Sequence, residues 1–284
     1  MRKTDMPAPP ALQSQNHSQS ATTCAVSKPL PPSDIAKRAA ACHAAAWVED
    51  GMRIGLGSGS TAAWLSHCLG ERIRAEGLRF TAVATSRTMA RLARREGIAL
   101  MAPQDMRQLD LTIDGADEVD AAMTLVKGGG GALLQEKITA AASARMVVII
   151  DRSKQVPVLG AFGLPLEVVP FGWQATRRQI TRRLAALGLN GAAALRQHNG
   201  QPFVSDEGHY IIDLQPGRIA APASLDSALK QIPGVIETGL FMDMCDSVVV
   251  GHPDGSVRVH NAQRGPETAT THQESNKGEN RHGV

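Results

Sequence analysis

The chain has 284 residues and a formal charge of +3, and only 3% of its residues are aromatic. This length allows one large or two modest domains, with a sizeable core built mainly from Ala, Leu, Val and Ile. The arginine groups at 91–95 and 177–183 fall at helical spacings without interleaved aromatic residues, which favours solvated helix faces over a nucleic-acid surface. No apolar run is long enough to span a membrane, so we expect no membrane partner.

Both ends of the chain have the composition of disordered segments. Residues 1–32 are rich in Pro, Ser, Gln and Ala without periodicity, and residues 263–284 are polar and nearly free of aliphatic side chains. Such segments bury too little apolar surface to offset the entropy of ordering, so we expect both to be disordered. Met6 leaves open a shorter start, and the absence of an apolar h-region predicts no export signal.

Between these ends the pattern alternates helix and strand. Strands that alternate with helices predict an α/β fold, with a Rossmann-like, mostly parallel sheet and helices on both faces. Ligand loops then gather at the carboxyl ends of the strands, where Gly57 and Asp114 lie. The predicted elements, in chain order, are Asp34–Asp50, Met52–Leu56, Ser60–Glu76, Phe80–Thr85, Arg87–Glu96, Ile98–Met101, Leu109–Ile113, Ala132–Ala144 and Met146–Ile150.

From about Val158 the pattern becomes that of a smaller α+β domain. We predict a strand from Phe162, a helix over Trp173–Leu187, a hairpin over Phe203–Leu214 turning at Asp206–Gly208, and a helix over Ser224–Gln231. This order predicts a ferredoxin-like insertion at 158–232. The chain then returns to the first sheet through Gly239–Phe241, Ser247–Val250 and Val257–Val259, so that 33–157 and 233–262 form the catalytic domain.

The cysteine and histidine patterns point to no disulfide and no metal. Cys24, Cys42, Cys68 and Cys245 show no paired spacing, which predicts reduced thiols in the cytoplasm. The nine histidines are scattered, and His67 is adjacent to Cys68 rather than spaced for ligation. We therefore expect neither a metal nor a cofactor.

The run from Asp114 to Lys137 gathers two carboxylates, an ammonium, four consecutive glycines and a further carboxylate. The glycines fill no core volume, but they allow backbone N–H groups to approach a ligand. Glu136 lies within about a turn of the predicted helix start, close to the glycine loop. Such a set suits proton abstraction next to a carbonyl. The alternative is a glycine-rich surface turn with solvated charges.

A second glycine cluster, Gly55-Leu-Gly57-Ser-Gly59, joins a predicted strand to a predicted helix and favours a phosphate site. It departs from the dinucleotide fingerprint in its third-glycine spacing, and the next strand lacks a terminal acidic residue. Ser86-Arg87 stands there instead, so NADP is disfavoured rather than excluded. No Walker lysine follows Gly59, which argues against an ATPase.

Several motifs together resemble the type A ribose-5-phosphate isomerase family, with coverage from about Asp34 to about His260. They stand in the order Gly55-Leu-Gly-Ser-Gly-Ser-Thr61, Asp114-Gly-Ala-Asp-Glu118, Lys127-Gly-Gly-Gly130 with Glu136-Lys137, Ser153-Lys154-Gln155-Val156, Leu164-Pro-Leu-Glu-Val-Val-Pro170, Ile232-Pro-Gly-Val235 and Thr238-Gly-Leu-Phe241. The resemblance implies interconversion of ribose 5-phosphate and ribulose 5-phosphate through an enediolate. It also implies a homodimer.

The resemblance implies a role for each matching residue. Glu136 matches the proton-shuttling base, Lys127 the residue that stabilises the oxyanion, and Asp114 and Asp117 the acidic residues that bind sugar hydroxyls and help open the ring. Lys37 matches a further phosphate contact. The implied substrate-binding residues are Ser58, Gly59, Ser60, Thr61, Asp114, Gly115, Ala116, Asp117, Lys127, Gly128, Gly129, Gly130 and Lys154.

Two other functions stay open at this stage. One is a CoA transferase or sugar-phosphate lactonase of the same superfamily, although Glu136 here lies beside a lysine and a phosphate-type loop. The other is a non-catalytic sugar-phosphate sensor, which would normally be fused to a DNA-binding module. Neither end of the chain has helix-turn-helix periodicity.

Overall fold

The computed structural model describes residues 30–262; segments 1–29 and 263–284, with most of the predicted tails, Met6 and Cys24, lie outside the described residues. The helices are α1 (Pro32–Ala45), α2 (Ser60–Glu76), α3 (Arg87–Arg95), α4 (Leu133–Ala141), α5 (Trp173–Ala186) and α6 (Pro222–Lys230). The strands are β1 (Arg53–Leu56), β2 (Thr81–Ala84), β3 (Ala99–Leu100), β4 (Leu111–Asp114), β5 (Glu118–Val119), β6 (Leu125–Val126), β7 (Met146–Asp151), β8 (Leu164–Val168), β9 (Ala193–Leu195), β10 (Gln197–His198), β11 (Gln201–Pro202), β12 (Tyr210–Leu214), β13 (Val235–Thr238), β14 (Leu240–Phe241), β15 (Ser247–Gly251) and β16 (Val257–Asn261).

Seven strands form the large sheet in the order β16-β15-β7-β4-β1-β2-β3. All neighbours are parallel except β16, which runs antiparallel to β15 at the edge. The inner strand β7 is buried along its whole length, as expected of a parallel strand covered on both faces. The predicted Rossmann-like, mostly parallel sheet is therefore confirmed.

Helices cover both faces of this sheet. Val147 and Ile149 of β7 pack with α1, α2 and α3 in one core, whereas Val148 and Ile150 pack with Ala140 of α4 in another. The alternation follows from the period of two along a strand. Helix α1 presents alanines to its neighbours, at positions 36, 40, 41, 44 and 45, and this small surface lets it lie close to α2.

Helices α1 and α2 are joined by a disulfide between Cys42 and Cys68, which are 26 residues apart. The prediction of reduced thiols is therefore wrong for these two residues. Each cysteine lies on the face of its helix that packs against the other helix, and sequence spacing does not show such a meeting of two helix faces. Cys245 carries a thiol and is buried.

The smaller sheet has the order β13-β8-β12-β9, with all neighbours antiparallel. With α5 after β8 and α6 after β12, the chain follows a βαββαβ path, which is the ferredoxin-like arrangement that the sequence predicted. Val235–Thr238 pairs with β8 in this sheet. The small domain therefore extends past residue 232, where the sequence analysis had placed its end.

Three short strands form a third sheet, in the order β14-β6-β5. Gly239–Phe241 was predicted to return to the large sheet, but Leu240 and Phe241 pair with Val126 and Leu125 instead. The predicted hairpin over Phe203–Leu214 is also wrong in its pairing, because Val204 meets Tyr210 only in an isolated bridge. The main partners of β12 are β8 and β9.

Most of the other boundaries lie within three residues of those predicted, but α1, which was predicted to reach Asp50, ends five residues earlier at Ala45. Helix α2 begins and ends at the predicted Ser60 and Glu76. Helix α1 begins two residues before the predicted Asp34, since Pro32 takes a first-turn position where its missing N–H costs nothing. None of the helices within residues 30–262 is both long and apolar enough to cross a membrane.

Candidate active site

One cavity of about 320 Å³ opens at the carboxyl ends of β1, β4 and β7, beside the loop that follows β6. Parallel strands deliver their loops to this edge of the sheet, as the sequence predicted. The cavity is lined by Ser33, Lys37, Ser58, Gly59, Ser60, Thr61, Gly115, Ala116, Asp117, Lys127, Gly128, Gly129, Gly130, Glu136, Asp151, Ser153 and Lys154.

The loop after β1 leads into the N-terminus of α2 at the cavity wall. Gly59 stands before the helix with φ +94°, a conformation that favours glycine, and no side chain caps the first turn. A Cβ at Gly57 would lie 1.9 Å from Asp114 Oδ1, so this position has no room for a side chain. The first amides of a helix lack intrahelical acceptors, and here they are suited to bind a phosphate.

Ser58 also lines the cavity, but its hydroxyl makes contacts within the protein. Its Oγ lies 2.9 Å from Thr85 Oγ1 and donates to Ser86 Oγ at 2.8 Å. Ser86 in turn caps α3 by accepting from Met89 N at 3.1 Å. The Ser58 amide donates to Asp114 Oδ1 at 3.0 Å. Ser58 therefore ties the first loop to α3 and to Asp114, a function that sequence spacing does not reveal.

A buried charge cluster forms the floor of the cavity. Lys127 Nζ lies 2.8 Å from Asp114 Oδ2 and 3.3 Å from Glu136 Oε2, and it donates to Gly115 O at 2.5 Å. The three charged side chains are at most 5% exposed. Glu136 Oε2 and Asp114 Oδ2 both lie against the Lys127 ammonium, and neither has another hydrogen-bond partner among residues 30–262. Of the two carboxylates, only Glu136 lines the cavity. Its Oε2 is left available to a ligand.

Burial controls the protonation of this cluster. It raises the pKa of the Glu136 carboxyl from 4.5 to about 8, with Lys127 opposing the shift and Asp114 adding to it. Burial also raises the pKa of Asp114, against the opposing charge of Lys127. For Lys127, burial would lower the pKa, but the charges of Asp114 and Glu136 outweigh burial and raise it. Lys127 thus stays charged, while Glu136 exchanges its proton near neutral pH.

Short secondary structure fixes the members of this cluster. Lys127 follows β6, and its backbone N–H donates to Gly239 O at 2.9 Å, which extends the pairing of β6 with β14. The Phe241 ring of β14 lies 5.4 Å from Lys127 Nζ. Glu136 stands in the first turn of α4, where its amide donates to Ala132 O at 3.0 Å. Backbone hydrogen bonds therefore fix the positions in the chain from which both side chains extend.

The glycine loop after Lys127 forms the wall opposite α2. Gly128 and Gly131 have φ of +100° and +77°, and Gly131 N donates to Gly128 O at 2.9 Å to close a tight turn. Gly129 N donates to Asp117 Oδ2 at 2.8 Å. The Gly129 amide therefore faces the carboxylate side of the cavity, where a ligand oxygen could replace Asp117 as its acceptor.

Two lysines stand among hydroxyl groups at another side of the cavity. Lys37 comes from α1, and Lys154 from the 3₁₀ turn Arg152–Lys154 after β7. Asp151 Oδ1 accepts from Ser153 N and Ser153 Oγ, at 2.9 and 2.5 Å, and shapes that turn. Two ammonium groups near the α2 N-terminus suit a doubly charged phosphate.

The structure brings the sequence-predicted site residues together. All of them line the cavity except Asp114, which lies directly beneath it against Lys127. The sequence analysis missed Ser33, Asp151 and Ser153. For Asp151 and Ser153 a signal existed, because they follow the predicted strand Met146–Ile150, whose carboxyl end lies at the same edge of the sheet as Asp114. Across residues 30–262, no group of three or more His, Cys, Asp or Glu is placed to hold a metal ion.

Comparison with known protein families gives one consistent match. The family model of ribose 5-phosphate isomerase A (phosphoriboisomerase A) matches residues 81–255. A curated ribose-5-phosphate isomerase A from Ruegeria sp. (strain TM1040) is 54% identical over 237 residues, which cover 83% of this chain and 90% of the relative.

Solved structures agree with the sequence match. A D-ribose-5-phosphate isomerase in complex with phospho-erythronic acid superposes with a TM-score of 0.73 at 36% identity, covering 79% of this chain and 97% of that chain. The ribose 5-phosphate isomerase from Plasmodium falciparum superposes with a TM-score of 0.77 at 29% identity, covering 81% of this chain and all of that one (100%).

Proposed function

The chain belongs to the ribose 5-phosphate isomerase A family, and we propose that it interconverts D-ribose 5-phosphate and D-ribulose 5-phosphate with Glu136 as the proton-shuttling base. One observation carries the assignment of the base. Glu136 Oε2 is buried at the cavity without a hydrogen-bond partner in the described chain, 3.3 Å from a permanent positive charge. A carboxylate so placed can take a proton and return it.

In the forward direction, the Glu136 carboxylate takes the proton from C2 of the open-chain aldose. The electron pair of that C–H bond forms the C1–C2 double bond, and negative charge develops on the former carbonyl oxygen. Protonated Glu136 then returns the proton to C1 while the hydroxyl proton on O2 passes to O1, so that C2 becomes the carbonyl carbon and the ketose forms. One base serves both steps because C1 and C2 are neighbours, and a pKa near 8 lets it accept and release the proton.

Positive charge and hydrogen-bond donors are present where that oxygen charge develops. The Lys127 ammonium lies between Asp114 and Glu136, so its charge is fixed before substrate arrives. Amides of the glycine loop add donors on the same side of the cavity. Preorganised groups of this kind stabilise the transition state more than the ground state. Asp117 then remains as an acceptor for the sugar hydroxyls and assists ring opening, whereas Asp114, which lies beneath the cavity, holds Lys127 in place.

The phosphate is proposed to bind at the far side, on the free amides of Gly59–Thr61 and the ammonium groups of Lys37 and Lys154. This end of the cavity is distinct from the carboxylate floor. Substrate binding through the phosphate therefore leaves the reacting carbons over Glu136 and Lys127. No step of this scheme uses a metal or a cofactor.

The test is a coupled assay of the purified chain with ribose 5-phosphate, with and without EDTA. We expect turnover at the same rate in both. A chain that binds ribose 5-phosphate without converting it would be a sensor instead, and turnover that depends on CoA esters would support a CoA transferase. Activity that EDTA abolishes would overturn the metal-free scheme.

We further propose that the protein works as a cytoplasmic homodimer. The substrate is a charged phosphate ester that does not cross a bilayer, and Ile138, Phe171 and Val204 are exposed apolar side chains that a second copy would cover. The catalytic domain is proposed to comprise 33–157 and 239–262, and the small domain 158–238, since β13 pairs with β8. Light scattering of the purified chain would give its mass in solution.

A further inference from the structure

Arg196 of the small domain binds the glycine loop of the candidate active site from outside the cavity. Its Nη1 donates to Gly128 O at 2.9 Å and to Gly129 O at 3.0 Å. Arg196 does not line the cavity, and it stands at the end of β9 in the other domain. Its effect on any reaction is therefore exerted through the loop.

The arginine is itself fixed by two neighbours. Asp213 of β12 accepts from it in a two-pronged contact, with Nε to Oδ2 at 2.9 Å and Nη2 to Oδ1 at 2.5 Å. The ring of Phe203 lies 5.8 Å from the guanidinium carbon. The same ring fills the space beside Gly131, where a Cβ would lie 2.4 Å from it. The guanidinium side chain is only 15% exposed. Such a planar fork has little freedom to leave its acceptors.

The two carbonyls that Arg196 binds belong to the peptide units Gly128–Gly129 and Gly129–Gly130. In a trans peptide the N–H points opposite to the C=O. Because both carbonyls point at Arg196, the amides of Gly129 and Gly130 point away from it, towards the cavity. The hydrogen bond from Gly129 N to Asp117 Oδ2 at 2.8 Å confirms this direction for the first of them.

Glycine peptides rotate at low cost, because no Cβ restricts their dihedrals. A rotated peptide in this loop would present a carbonyl oxygen instead of an N–H to the developing oxyanion, and repulsion would replace attraction. Two hydrogen bonds to a charged donor oppose that rotation.

We propose that Arg196 is a positioning residue for the isomerisation: it fixes the glycine-loop peptides so that their amides face the enediolate. This inference rests on the proposed isomerase function. It also gives the inserted domain a part in the reaction, although none of its residues reaches the cavity. Asp213 and Phe203 orient Arg196 in turn.

The test compares Arg196→Ala, Arg196→Lys and Arg177→Ala with the wild type. Arg177 is the matched control, since it is an exposed arginine of the same domain that lies 5.4 Å from the Trp173 ring and does not contact the glycine loop. The measurements are kcat and KM for ribose 5-phosphate, the inhibition constant of phospho-erythronic acid, and the melting temperature.

We expect Arg196→Ala to lower kcat by about 10²-fold, the scale for loss of one oxyanion donor, with a smaller change in KM. Arg196→Lys should be intermediate, because one ammonium cannot reach both carbonyls and Asp213 as a fork. Millimolar guanidinium chloride should restore part of the activity of Arg196→Ala and leave the wild type unchanged. Arg177→Ala should match the wild type throughout.

Two results would overturn the proposal. One is an Arg196→Ala enzyme with kcat within two-fold of the wild type; if that variant does not fold, an Arg196→Lys enzyme at the wild-type kcat has the same meaning. The other is a loss in Arg196→Ala that appears only as a raised KM and that guanidinium does not reverse. An inactive wild type would instead refute the isomerase function itself, so the two failures are distinguishable.

Discussion

Lys137 Nζ lies 2.8 Å from Glu237 Oε1, so the residue that directly follows the proposed base is bound to the small domain. The same ammonium donates to Thr238 O at 2.8 Å and to Leu240 O at 2.7 Å, and it lies 4.7 Å from the centre of the Phe241 ring. These contacts attach α4 to the β13–β14 segment. The direction in which α4 presents Glu136 to the cavity therefore depends on a domain that is inserted later in the chain.

Replacing Lys137 tests that attachment. Lys137→Met should lower the free energy of unfolding by about 3 kcal/mol. This is the lower end for breaking a buried ion pair, and we expect it because Glu237 still has Lys230 as a partner at 2.8 Å. Lys230→Met is the control: its side chain is 39% exposed, and its loss should cost about 1 kcal/mol or less. Urea unfolding of both variants gives the comparison. If both variants lost the same free energy of unfolding, the greater burial of Lys137 would not make its ion pair contribute more to stability.

The base itself is tested by Glu136→Gln. The amide keeps the shape of the carboxyl but cannot take a proton, so kcat should fall by at least about 10²-fold while ribose 5-phosphate still binds. Glu71→Gln, at a helix position with a 59% exposed side chain, should leave kcat unchanged. Steady-state kinetics and substrate-binding titration measure both. Turnover by Glu136→Gln within a few-fold of the wild type would remove Glu136 from the mechanism.

The raised pKa of Glu136 predicts how the rate depends on pH. The base must be deprotonated in the free enzyme, and its pKa of about 8 lies within the accessible range. We therefore expect kcat/KM to rise with pH up to about 8 and then to level off, since Lys127 keeps its proton in this range. A profile of kcat/KM from pH 5 to 9.5 measures it. A value of kcat/KM that is already level from pH 6 upward would contradict the raised pKa of Glu136.

The Glu136 carboxyl also makes the stability of the folded state depend on pH: stability falls as the pH rises, whereas the rate increases. The pKa of Glu136 is 4.5 when unfolded and about 8 when folded, so the folded state holds a proton that the unfolded state releases between these values. Its contribution to stability is fully present below pH 4.5 and is lost as the pH rises through about 8. Glu136→Gln lacks this loss, so the variant should gain stability over the wild type between pH 6 and 9. Melting curves of both proteins across that range decide it.

The Cys42–Cys68 bond predicts a response to reductant. Closing a loop of this size stabilises the folded chain by roughly 3 kcal/mol, which corresponds to about 6–12 °C in melting temperature for a domain of this length. Dithiothreitol should therefore lower the melting temperature of the oxidised protein by that amount. The double variant Cys42→Ser with Cys68→Ser should melt at the same temperature with or without reductant. Titration of free thiols in freshly purified protein shows how much of it carries the bond.

Much of the site could be predicted from the sequence, because it lies in loops whose residue types have few structural uses. Gly57 and Asp114 follow predicted strands, and Lys127 and Glu136 flank a glycine run that leads into a predicted helix. The alternation of helix and strand then brings those ends to one edge. These inferences need only local pattern and the rule for parallel sheets.

The rest depends on contacts between distant segments. Gly239–Phe241 is too short to show which sheet it joins, and its pairing with β6 is decided by the path of the inserted domain. Cys42 and Cys68 meet because alanines let α1 approach α2. The sequence alone does not distinguish Arg196 from a surface arginine, and only the structure shows its contact with the glycine loop. Local periodicity contains no information on such pairs.

The hydrogen bond from Lys127 N to Gly239 O has a consequence for the order in which the protein is made. Every proposed catalytic side chain lies between residues 37 and 154 and leaves the ribosome before Gly239 does. Until β14 emerges, β6 lacks one of its two neighbours, and Lys127 lacks the backbone partner that holds it. A nascent chain that already contains all the proposed catalytic side chains is therefore expected to stay inactive until the segment with Gly239 and β14 has been made.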